Sequence, residues 1–200
     1  MCTSTVCFTI PLILPIFFVV FIVFIIFIAS QATKKKQGAL KRLAMALPGK
    51  MERFSLLPSF SGQYQGLKFT INFITAGEHS PEKLRISLEK NSSFRLSIYE
   101  ESALSQLGEK LGIIREVRTG DELFDRRFLI FSNKEDRSRA YLNNTSVKET
   151  IKRLFNRGFT TFTVDGKRAV IQKPGYVEAD LEPSKVISAL QDLTLLARGL

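Results

Sequence analysis

"LKFTINFITAGEHSPEKLRISLEKNSSFRLSIY", Leu67 to Tyr99, repeats one pattern three times. Leu67, Phe69, Ile71 and Phe73 alternate with Lys68, Thr70 and Asn72. Leu84, Ile86 and Leu88 alternate with Arg85 and Ser87, and Phe94, Leu96 and Ile98 with Arg95 and Ser97. A period of two puts successive side chains on opposite faces of a strand, so each run predicts a strand with one buried face and one solvated face. Strands of parallel sheets are covered on both faces and read as unbroken apolar runs, so this alternation predicts antiparallel pairing. The short connections "AGEHSP" and "NSS" suggest a meander. Pairing the second and third runs with their apolar faces together sets Leu88 opposite Phe94, Ile86 opposite Leu96 and Leu84 opposite Ile98. The turn then centres on Asn91, a residue type that tolerates the left-handed conformation. Lys68, Arg85 and Arg95 lie beside Glu89 on the outward face, which is polar and mildly basic.

Downstream the period becomes helical. Ser102 is a candidate cap, Leu104, Leu107 and Leu111 line one side, and Gly112 is a stop signal. A short apolar piece, Ile113 to Val117, leads into "TGDELFDRRFLIF", Thr119 to Phe131, which ends in the strand "RFLIF". "SNKE", Ser132 to Glu135, has the spacing of a capping box and predicts a helix ending near Leu142. "SVKE", Ser146 to Glu149, repeats the device, with Val147, Ile151, Leu154 and Phe155 inside and Gly158 as the stop. "FTTFTVDGKRAVIQ", Phe159 to Gln172, reads as a hairpin turning at Asp165 and Gly166. Pro183 opens a last helix with Val186, Leu190, Leu193 and Ala197 on one face. Strands paired largely with sequence neighbours, and helices grouped beside them, predict an α+β domain over residues 58–200: a mainly antiparallel sheet with helices packed on one face.

The N-terminal part reads differently. Residues 1–33 carry no charged side chain, and from Pro11 to Ala29 the chain is almost wholly Ile, Leu, Val and Phe. About 20 such residues in a helix cover the ~30 Å hydrocarbon core of a bilayer, which predicts a transmembrane anchor in residues 1–33 with its span over 12–29. "SQA", Ser30 to Ala32, would suit signal cleavage. However, no basic residue precedes the apolar run, and Lys34, Lys35 and Lys36 follow it directly. Basic flanks stay on the cytoplasmic side, so the expectation is a single-pass signal-anchor protein of a prokaryotic inner membrane. Its N-terminus would lie outside and its domain in the cytoplasm.

Residues 34–57 form a basic juxtamembrane segment and linker in this reading, punctuated by Pro48 and Gly49. Seven basic residues and one acidic residue between Lys34 and Arg53 hold +6 of the chain's +10, which leaves +4 for residues 54–200. The charge excess is therefore local and implies contact with anionic lipid headgroups, through Lys34, Lys35, Lys36, Lys41 and Arg42. Leu40, Leu43 and Leu47 fall on one helical face, opposite Lys41 and Arg42, as in an interfacial helix lying along a membrane. Both cysteines, Cys2 and Cys7, precede the domain, so it holds no disulfide and no cysteine-based zinc site.

Few residues offer chemistry. The one histidine, His79, lies in the Gly- and Pro-bounded turn "AGEHSP", and no phosphate loop or nucleophile elbow occurs. The acidic cluster Asp121, Glu122 and Asp125 is the remaining candidate. Counting from Asp121, Leu123, Arg126 and Ser132 fall where a calcium loop needs an oxygen ligand, Gly and Glu. Asp121 and Asp125 would share a face only on a helix, whereas Gly120 and the following strand point to a turn. Asp121 is then expected to accept from backbone amides in an Asx-turn and Asp125 to pair with Arg126, Arg127 or a neighbouring strand. "NRGFTTF" sets Arg157 near Phe159 and Phe162, but these phenylalanines alternate with threonines as core residues do, which argues against nucleic-acid stacking.

At "TGDELFDRRFLIFSNKEDRSRAYL" the chain resembles an uncharacterised group of bacterial and archaeal single-pass membrane proteins with a GDxxFDxxF pattern. The matching positions are Gly120, Asp121, Phe124, Asp125 and Phe128, and a G-x-Y-x-G-like element appears as "GQYQG", Gly62 to Gly66. The resemblance covers about residues 58–175 and implies a membrane-tethered cytoplasmic domain; it brings no activity, cofactor or site residue. Together these readings predict a membrane-tethered, non-enzymatic interaction or scaffold module with lipid and an unidentified protein as partners and no cofactor. The alternatives are a membrane-anchored hydrolase or metal-dependent enzyme using Asp121 and Asp125, and a membrane-held nucleic-acid-binding domain.

Overall fold

A computed structural model of the protein describes residues 10–52, 57–75, 77, 81–101 and 115–200. The chain forms two compact units, with the boundary between Gly38 and Ala39. The first helix, α1 (Ile10–Ala46), runs unbroken through Lys34, Lys35 and Lys36 and contributes to both units.

The expected single-pass anchor is corrected here. Among the described residues no helix is long and apolar enough to cross a membrane. Within the expected span of 12–29, the side chains of Phe18 to Phe24 are described and the others lie outside the described residues. The helix does not close at the basic run, as a stop-transfer flank would have it. It continues to Ala46, and from Ala39 onward it belongs to the second unit. There Leu40 and Leu43 are fully buried and Leu47 nearly so, within the unit's own core. The apolar face read as lying along a lipid surface is therefore spent on protein, while Lys41 and Arg42 remain exposed and Arg42 pairs with Glu178 at 2.7 Å. The orientation inferred from the basic flank goes with the anchor.

The second unit is α+β. Among the described residues its nine strands form one antiparallel sheet in the order β1-β2-β3-β4-β9-β8-β5-β7-β6. Residues expected to be linker form β1 (Gly49–Glu52), which pairs with β2 (Ser59–Tyr64). The "GQYQG" element belongs to this edge. Gly62 faces Gly49 across the strands, where a Cβ would collide with the Pro48 carbonyl oxygen. Gln65 and Gly66, both at positive φ, make the two-residue turn into β3 (Leu67–Ile74).

The expected hairpin between the second and third alternating runs does not form. β4 (Lys83–Glu89) and β5 (Leu96–Glu100) are separated by the hairpin of β8 (Thr161–Val164) and β9 (Arg168–Pro174). Ile86 stands opposite Ile171 and Leu88 opposite Ala169, while Leu96 stands opposite Val164 and Ile98 opposite Phe162. All these residues lie on the face that the alternation assigned to them; the neighbours differ. Residues 90–95 cross the three intervening strand spacings, about 14 Å, over the tip of the inserted hairpin. Lys90 N donates to Lys167 O and Ser92 N to Gly166 O, each at 2.9 Å.

β6 (Arg115–Glu116) and β7 (Phe128–Ser132) complete the far edge, on either side of α2 (Glu122–Arg127). α3 (Glu135–Leu142), α4 (Thr145–Asn156) and α5 (Pro183–Arg198) pack on the inner face. Phe155 of α4 meets Phe128 edge-on at 4.9 Å, and the Tyr141 hydroxyl of α3 donates to Leu196 O of α5. Burial pushes that hydroxyl's pKa far up. Neither expected capping box forms. Ser132 is the buried last residue of β7, hydrogen-bonded to Ser138 at 2.6 Å, and Asn144 rather than Ser146 caps α4 by accepting from Ser146 N. The expected inward residues Val147, Ile151, Leu154 and Phe155 of α4, and Val186, Leu190, Leu193 and Ala197 of α5, are all buried. The helix expected over Ser102 to Gly112, and His79, Cys2 and Cys7, lie outside the described residues.

Candidate functional site

The acidic motif is a closed structural loop. Contrary to the turn reading, Glu122–Arg127 is helical. Asp121 is its N-cap, accepting from Phe124 N through Oδ1 at 3.1 Å, while Oδ2 meets Lys148 of α4 at 3.1 Å. The Lys148 ammonium and the Phe124 amide hold the Asp121 carboxyl below the usual carboxylate range. Asp125, one turn on, faces backwards. Its two oxygens accept from Thr119 N at 3.0 Å each, from Thr119 Oγ1 at 2.8 Å and from Gly120 N at 3.0 Å. Phe124 and Phe128 are buried, with ring centroids 4.6 Å apart. Arg127 leaves the motif to bind Glu100 and Asn156. The structure thus brings Gly120, Asp121, Phe124, Asp125 and Phe128 together, and each is occupied in holding α2 between the sheet edge and α4. Glu122 points away, paired loosely with Arg126 in solvent. Among the described residues no group of three or more His, Cys, Asp and Glu is gathered as a metal site would require.

Lys34, Lys35 and Lys41 are exposed, and Lys36 is half-buried. Phe159 and Phe162, the aromatics near Arg157, are 5% and 0% exposed, so neither presents a ring to a base.

A concave feature lies between the inner face of the sheet and the first turns of α5. A cavity of about 530 Å³ opens there, within the ~300–1,000 Å³ common for small-molecule sites. Its floor is apolar: Leu84 and Ile86 of β4, Phe159, and Val186 and Ala189 of α5. The rest of its lining is polar: Arg157, Lys173, Lys185, Ser184, Ser188 and Asp180. Lys173 is the central group. It follows Ala169 and Ile171 on the inward register of β9, directly opposite Leu84, so it enters the space between sheet and helix. There its Nζ donates to Asp180 Oδ1 and to the Arg157 carbonyl, both at 2.8 Å. Burial pushes the Asp180 carboxyl up, but the bonds from Lys173 and from Val177 N outweigh it and leave the carboxyl below its usual range. Arg157, just past the end of α4, is held at 2.9 Å by Asp192 of α5, which also takes Arg153 at 2.6 Å. Three cations therefore face one carboxylate across an apolar floor. The sequence reading missed this site, although it had a signal: Lys173 breaks the apolar alternation on the buried face of a strand.

No known family profile and no curated protein matches the chain. Among solved structures it is similar to one described as the crystal structure of the mycobacterial trehalose monomycolate transport factor A, TtfA. The identity is 13%, the match covers 69% of this chain and 71% of that one, and the TM-score is 0.48. This is a distant likeness of chain path and transfers no function.

Proposed function

We propose that the chain is a non-enzymatic interaction module, whose work is to bind rather than to transform, with a protein partner. The observation that supports this reading is the occupancy of the acidic motif. The runner-up, a hydrolase or metal-dependent enzyme, needs free oxygens on Asp121 and Asp125. Those oxygens instead serve Phe124 N, Lys148, Thr119 N, Thr119 Oγ1 and Gly120 N. The resemblance at GDxxFDxxF belongs to the same proposal as a likeness of framework, since each of its positions has a packing or hydrogen-bonding duty here.

Asp121→Asn and Asp125→Asn, each measured for stability, for hydrolysis of a panel of ester and phosphodiester substrates, and for photo-crosslinked partners in cells, test the reading. A binding module loses stability in both variants and keeps its crosslinked partner wherever it stays folded. A fully stable variant that loses a turnover present in the parent chain defeats the proposal in favour of the enzyme.

A further inference from the structure

We propose that the cavity beneath the first turns of α5 binds an amphipathic anion, an organic acid with one carboxylate or phosphate head on a compact apolar body. Lys173 is answered by Asp180, and Arg157 by Asp192 from outside the cavity. Lys185, exposed in the first turn of α5, has no carboxylate within ion-pair distance among the described residues and acts on Asp180 only through space. The helix itself adds to this bias. Glu182 at its N-cap makes no side-chain hydrogen bond to the first turn, and Pro183 follows, so no N-cap side chain takes the amides of Ser184 and Lys185 at the positive end of this 16-residue helix. The hydroxyls of Ser184 and Ser188, one turn apart, line the same wall.

The floor limits what can satisfy these groups. A bare inorganic anion would meet the cations and leave Leu84, Ile86, Phe159, Val186 and Ala189 in water. A neutral apolar compound would cover the floor and strand the charge of the lining behind it, which is costly without a polar partner. A molecule with both parts satisfies both surfaces, its head at Lys185 and the Ser184 and Ser188 hydroxyls and its body against β4 and Phe159. The Lys173–Asp180 pair closes the inner end.

The site rests on the reading of the chain as a binding module, yet the two fall to different results. Octanoate, octyl phosphate, octan-1-ol and inorganic phosphate are titrated calorimetrically into the full chain. Saturable binding of octanoate or octyl phosphate is expected, about tenfold or more tighter than octan-1-ol, the difference that charge-assisted hydrogen bonds to the head provide. The stronger of the two names the head group. Lys185→Glu, at an exposed position, should weaken binding about tenfold, and Ser188→Phe should abolish it by filling the cavity. If Ser188→Phe fails to fold, Lys185→Glu still decides. Absence of saturable binding, equal binding of octan-1-ol, equal binding of inorganic phosphate, or indifference to Lys185→Glu each overturns the site. None of these touches the module reading, which falls only to a turnover lost in the aspartate variants.

Discussion

Asp125→Asn replaces one carboxylate oxygen by an amide NH2 and tests whether the acidic motif is structural. The carboxylate closes the loop ahead of α2 by accepting from two backbone amides and one hydroxyl, all within six residues along the chain. Asparagine keeps one acceptor and turns an N–H donor toward at least one of those amides. A hydrogen bond to a charged group contributes about 1.5–3 kcal/mol, and an unpaired donor left in a half-buried site adds to its loss. The expected loss is therefore about 2–3 kcal/mol, or roughly 4–12 °C in Tm at about 2–4 °C per kcal/mol for a domain of this size. Urea unfolding followed by far-ultraviolet circular dichroism, with calorimetry for Tm, measures it. Glu122→Gln is the control: Glu122 is 86% exposed, and surface substitutions of that kind stay within about 0.5 kcal/mol. An Asp125→Asn variant as stable as the control would show that the carboxylate does not hold this loop, and the structural account of the motif would fall.

Other expectations follow from the same packing. Asp192→Ala removes a carboxylate that is 5% exposed and leaves Arg153 and Arg157 facing each other; about 3 kcal/mol should be lost in urea unfolding. Arg153→Ala, at a side chain 45% exposed, should cost about 1 kcal/mol or less. Gly62→Ala drives a Cβ into the Pro48 carbonyl, which should cost about 1–3 kcal/mol and speed amide exchange in β1 ahead of the sheet centre. Asp180 and Asp165 have folded-state pKa values below the unfolded one, so the stability they contribute is present above about pH 4 and lost as pH falls through the folded values. Urea midpoints between about pH 2 and 5 should therefore drop on acidification, and Asp180→Asn should flatten that slope.

Much of the domain was legible because side-chain period reports which way a residue faces. Phe69, Ile71, Leu84, Ile86, Leu96 and Ile98 all lie on the expected inner side. The caps were harder. Ser132 and Ser146 have the spacing of capping boxes, but an N-cap must also leave the preceding element at the right residue. β7 extends through Ser132, which takes it into the core. Asp121 was read as turning back on its own backbone, and it does, but as the cap of a short helix that the strand signal after it had masked.

Two larger misreadings share one physical cause. The alternation in β4 and β5 identifies a buried face, and proximity in sequence makes the nearest segment with a matching face its expected neighbour. β9 and β8 offer the same alternation, and six residues are chain enough to step around them. The face of Leu40, Leu43 and Leu47 was likewise read correctly as apolar and assigned to lipid, the partner suggested by adjoining sequence. The sheet's own core covers it instead. Amphipathicity measures the free energy of removing a face from water; it does not depend on what replaces the water, so it cannot name the covering partner. Lys173 carries the converse information. A charged residue on an inward register is unfavourable against any apolar cover, so its presence between Ile171 and the first turn of α5 required a carboxylate nearby and a gap in the packing. Asp180 is that carboxylate and the cavity is that gap. In this chain the exception to the period points to the site, because only an exception constrains what must lie opposite.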